Sequence, residues 1–107
     1  MSNKEQILEP RRAFLFDLID VAQKKGLEIG PLTSPLVTSE DIKKGGEIFY
    51  LDHLSTAELR KKYRNDSSVS IDAIQDVDFI CPDGDFTKVV NGKKFDYIIA
   101  MRAYIII

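Results

Sequence analysis

Apolar residues gather in four short runs, at 27–29, 48–51, 74–80 and 95–100, and the intervals between them carry turn or helix signals. Runs of this length suit strands. Strands that alternate with helices pair in parallel, joined by right-handed crossovers. The alternation therefore restricts the chain to an α/β fold. At 107 residues a single domain over 1–107 is expected.

The first helix is expected over 10–24. Pro10 suits a first helical turn, and Phe14, Leu15, Leu18, Ile19 and Ala22 recur at helical spacing. Gly26 breaks that pattern, and Leu27-Glu28-Ile29 forms a strand running into Gly30-Pro31. Residues 31–46 read as a loop with one helical turn near 39–44, and a second strand over 48–51 is bounded by Gly46 and Asp52. Ser55 and Glu58 make a capping box, flanked by Leu54 and Leu59 at the spacing of a hydrophobic staple. Ile74, Val77, Phe79 and Ile80 suggest a third strand ending near Cys81-Pro82. Phe86, Val89 and Val90 outline a short helix stopped by Asn91-Gly92, before a fourth strand over 95–100.

Composition narrows the function classes. A net charge of −2 disfavours nucleic acid as a main partner, because phosphate binding wants a basic field. The basic cluster Arg60, Lys61, Lys62 and Arg64 reads as the solvated face and last turn of a helix. Cys81 is the only cysteine, so neither an internal disulfide nor a cysteine-rich metal site is expected, and it should pack as a small apolar residue. Asp17 and Asp20 interrupt the first apolar stretch, and no run approaches the ~20 apolar residues of a membrane helix. A cytoplasmic protein is the expectation.

The chemistry concentrates at two strand ends. The first strand ends in Glu28-x-Gly30 and the second in Asp52. In a doubly wound sheet such ends open onto one crevice, where ligands bind. Gly30 leaves room for a ligand to approach the backbone. Asp52 follows 22 residues later, near the spacing at which an acid accepts ribose hydroxyls. A nucleoside fits this pattern.

The sequence Leu27-Glu28-Ile29-Gly30-Pro31-Leu32 resembles the first motif of class I S-adenosylmethionine-dependent methyltransferases. Phe49-Tyr50-Leu51-Asp52-His53-Leu54-Ser55 resembles the family's second strand with its ribose-binding acid, and Phe95-Asp96-Tyr97-Ile98-Ile99-Ala100 its fourth strand. Asp76-Val77-Asp78-Phe79 falls where the third strand supplies an acid to the adenine amino group. The resemblance covers about residues 26–100. It departs from the family at Leu32 and Ser34, which stand where further glycines are usual.

The resemblance implies a Rossmann-like three-layer half-domain with a mainly parallel sheet in the order 3-2-1-4. It implies S-adenosylmethionine as cofactor, held by Glu28, Gly30, Pro31, Asp52, His53 and Asp78, with methyl transfer to an acceptor it does not identify. Asp76 competes with Asp78 for the adenine position. His53, the sole histidine, is expected as a pocket wall or helix-entry residue rather than a general base. Tyr97 and Tyr104 are expected as core or edge aromatics. The family's acceptor-binding segments have no counterpart after residue 100, so the reading is of an incomplete fold whose fourth strand has a free outer edge. Self-association through that edge and the tail Tyr104-Ile105-Ile106-Ile107 is then expected. Two other readings share the pattern. One is a non-catalytic remnant or interaction module. The other is a different nucleotide-binding unit, against which the lack of Gly-x-Gly-x-x-Gly counts.

Overall fold

A computed structural model describes residues 10–85, 87–100 and 105–106. Four parallel strands form the sheet: β1 (Lys25–Ile29), β2 (Glu47–Asp52), β3 (Phe79–Ile80) and β4 (Tyr97–Ala100). Their order is β3-β2-β1-β4, as the alternation and the resemblance led one to expect. The helices are α1 (Pro10–Leu18), α2 (Ser39–Ile42), α3 (Thr56–Tyr63) and α4 (Thr87–Val90), with one 3-10 turn at Ile71–Ala73. Among the described residues no helix is long and apolar enough to cross a membrane.

Helix α1 stops six residues before the periodicity predicts. Asp20 turns its carboxylate onto the Ala22 N–H, and the Lys24 N–H closes a turn onto the Val21 carbonyl. Gln23 then takes a left-handed φ of 64° and donates its N–H to Ile42 O. A short acidic side chain thus diverts the backbone from helical bonding. The capping box at Ser55 forms as read: Ser55 Oγ accepts from Glu58 N at 3.1 Å, and Glu58 Oε1 accepts from Ser55 N at 3.0 Å.

Side chains alternate across the sheet and sort the core into two clusters. On one face Tyr97 and Ile99 pack with Leu15 of α1, Leu36 and Val37 of the loop after β1, and Ile42 of α2. On the other, Leu27, Leu51 and Cys81 pack with Val89 and Val90 of α4 and with Phe49, Phe79 and Phe95. Cys81 is 3% exposed, in keeping with a small apolar packing role. Tyr97 is 1% exposed and lies across Gly26, its neighbour on β1. A Cβ at Gly26 would stand 2.0 Å from Tyr97 Cζ, so that ring position requires glycine there.

Two sequence expectations need correction. The third strand is two residues long rather than extending back to residue 74. Gln75 donates its N–H to Leu32 O, and Val77 donates to Thr56 Oγ1, so these groups are used outside the ladder. The outer edge of β4 is also not free. A fifth strand, β5 (Ile105–Ile106), pairs with it antiparallel, with Ile106 opposite Ile98 and Ile105 opposite Ile99. The chain's own tail occupies those positions, which removes the open edge on which self-association was argued. Tyr104 lies outside the described residues.

Candidate functional site

Parallel strands bring the residues after β1, β2 and β3 to one rim of the sheet. Behind that rim Glu28 is fully buried on β1. Its two carboxylate oxygens accept the Leu36 N–H at 3.0 and 2.9 Å, and Oε1 also accepts the Val37 N–H at 3.1 Å. Tyr50, beside Glu28 on β2, donates its hydroxyl to Val37 O at 2.7 Å. Residues 36–37 are therefore gripped by two side chains from adjacent strands. Burial pushes the Glu28 carboxyl above its usual range, against the opposing pull of the Leu36 and Val37 N–H groups and of Arg11 and Arg12. Burial, with the nearby charge of Glu28, likewise pushes the Tyr50 hydroxyl up to about 12.

The loop that Glu28 anchors turns sharply at its start. Gly30 has φ 67° and donates its N–H to Leu51 O at 2.8 Å, extending the pairing with β2. A Cβ built on Gly30 would meet nothing within 4 Å, so its outer side faces open space. Pro31 is buried, and its carbonyl accepts the Ser34 N–H at 2.9 Å. Leu32 then adopts φ 49°, a conformation that costs a side-chain-bearing residue about 1–2 kcal/mol. The backbone makes a left-handed turn at a position where glycine would be the easy choice.

Asp52 closes β2 with a residue exposure of 8%. Its Oδ1 accepts both the His53 backbone N–H at 2.7 Å and the His53 ring at 2.6 Å through Nδ1. No hydrogen bond reaches Oδ2 from the described residues. The His53 side chain is half-exposed, at 51%, and precedes the N-cap Ser55 by two residues. A buried carboxylate with one committed oxygen and a half-exposed imidazole thus stand together at the rim.

Asp78 is placed differently from the other candidates. It directly precedes β3, opposite Tyr50, exchanging bonds with it: Asp78 N–H to Tyr50 O, and Tyr50 N–H to Asp78 Oδ2, both at 2.8 Å. That position lies two residues, or about 7 Å, short of the level of Asp52 along the strands. Asp76 is exposed. The acid that follows β3 at the rim is Asp83, which the sequence reading passed over. Its Oδ1 accepts the Asp85 N–H at 3.0 Å and its Oδ2 the Lys88 ammonium at 3.0 Å, which hold its carboxyl below the usual range. The Gly84 turn directly after it, φ 76°, was the available signal that the strand had already ended.

Glu28, Gly30, Pro31, Asp52 and His53 thus belong to the ends of two adjacent strands, and Asp78 to the beginning of a third. A hollow of about 290 Å³ lies elsewhere, lined by Phe16, Asp20, Val21, Glu40 and Lys43 beside the turns that feed β1 and β2. Comparison with protein-family models, with curated proteins and with solved structures gave no match.

Proposed function

We propose that the strand-end crevice binds the nucleoside part of S-adenosylmethionine, and that the chain serves as the cofactor-binding part of a methyltransferase. One observation carries this reading. Asp52, nearly buried, leaves Oδ2 without a hydrogen bond from the described residues, one strand away from the left-handed turn at Gly30. A carboxylate in that setting suits a ribose hydroxyl, and the open side of Gly30 suits close approach of a ligand to the backbone. Glu28 then acts through the protein: it holds residues 36–37 and so fixes the loop beyond Gly30. His53 reaches the ligand region through its bond to Asp52. The cofactor supplies a methyl group from its sulfonium, a transfer for which proximity and alignment are the principal demands.

The second reading, an interaction module without a cofactor, also has one observation in its favour. Both Glu28 oxygens and Asp52 Oδ1 are already satisfied within the chain. Calorimetric titration separates the two. The cofactor reading expects saturable binding of S-adenosylmethionine and its demethylated product, and none of NAD. Heat from neither sulfur compound would leave the interaction module standing, and binding of NAD alone would point to a different nucleotide site.

A further inference from the structure

We propose that the His53 ring is an internal competitor for the ribose position on Asp52, so that nucleoside binding tightens when the ring is removed. This rests on the nucleoside reading of the crevice. A carboxylate offers about four lone-pair positions, two on each oxygen. On Asp52 the two at Oδ1 are taken by His53, one by its backbone N–H at 2.7 Å and one by its ring at 2.6 Å. A vicinal diol that grips a carboxylate uses both oxygens. Its first hydroxyl can settle on Oδ2, but its second meets Oδ1 only after the ring has swung away.

The ring is free to swing where the carboxylate is not. Asp52 is a strand residue with a side chain 10% exposed, and its carbonyl accepts the Cys81 N–H at 2.8 Å. His53 lies between the end of β2 and the N-cap of α3, and its side chain is 51% exposed. Rotation about its side-chain bonds disturbs no ladder and no cap.

Because His53 is the sole histidine, its ring can be followed without ambiguity. Calorimetry with S-adenosylhomocysteine is run on the full chain and on His53→Ala, alongside imidazole NMR of the unmutated chain. His53→Ala should bind about 5-fold more tightly than the unmutated chain, the equivalent of one hydrogen bond that no longer has to be displaced. The ring resonances should move when the ligand saturates. Equal or weaker binding by the variant, or resonances that stay in place, would each overturn the inference while leaving the nucleoside reading intact. No binding by the unmutated chain defeats the nucleoside reading, and the inference falls with it.

Discussion

Glu28 and Asp52 close neighbouring parallel strands with the same functional group, yet the fold uses them in opposite ways. Glu28 is fully buried, and both its oxygens are spent on backbone N–H groups of the loop that follows its own strand. Asp52 is nearly as buried, but the described bonds of its carboxylate go only to the adjacent His53 and fall on one oxygen. Burial of a carboxylate thus does not by itself fix what the group does. What distinguishes them is the destination of the hydrogen bonds: a distant segment that needs anchoring, or a neighbour that can let go.

The contrast is broken most forcefully at Glu28. Glu28→Ala should strand the Leu36 and Val37 N–H groups in the interior, at about 1–3 kcal/mol for each lost partner. Urea unfolding should show a loss of several kcal/mol. A near-native midpoint would mean that the loop is held by the Tyr50 bond to Val37 O alone. Asp52→Ala should instead cost binding rather than stability. It should weaken S-adenosylmethionine roughly 10- to 100-fold, the equivalent of an unpaired hydroxyl, whereas His53→Ala should not weaken it. If His53→Ala proves the more damaging change, the roles of the two residues are reversed.

A smaller effect separates the two acids by pH. The folded-state value of Glu28 is raised above the ordinary 4.5, so the native chain holds its proton more tightly than the unfolded chain. The corresponding stability is fully present below 4.5 and is lost as pH rises through the raised value. Glu28→Gln should remove this fall, which chemical unfolding across that window would register. An identical pH slope in the variant would place the fall elsewhere. The smallest effect concerns what holds the turn after β2. Ser55→Ala removes the acceptor for Glu58 N and should cost about 1 kcal/mol. That loss should exceed the cost of Asp52→Asn, if the cap rather than the carboxylate stabilises the entry to α3.

Much of this architecture is written in short-range patterns. The box at Ser55 and Glu58 is legible because both partners lie within one helical turn, so no distant segment is needed to form it. The parallel pairing of the sheet follows from alternation and handedness, and its order agrees with the one the resemblance implied. The acids near the ends of β1 and β2 are legible for the same reason, since each stands within or directly beside an apolar run. The third strand is less legible. Ile74 is 4% exposed and apolar, as a strand residue would be, yet the Ile71–Ala73 turn precedes it and Gln75 bonds Leu32.

The sequence by itself determined the parallel frame, the cap of α3 and the acids that end β1 and β2, because each depends on neighbours along the chain or on general rules of crossover. Tertiary structure alone decided the rest. It placed Asp78 at the beginning of β3 through its register with Tyr50, it ended α1 at Leu18 with a turn that bonds Ile42, and it laid β5 on the edge of β4. It also gave Leu32 the left-handed turn that its side chain disfavours. The physical reason is common to all four: a backbone N–H or carbonyl must find a partner on folding, and which distant group supplies it is settled only when the segments meet.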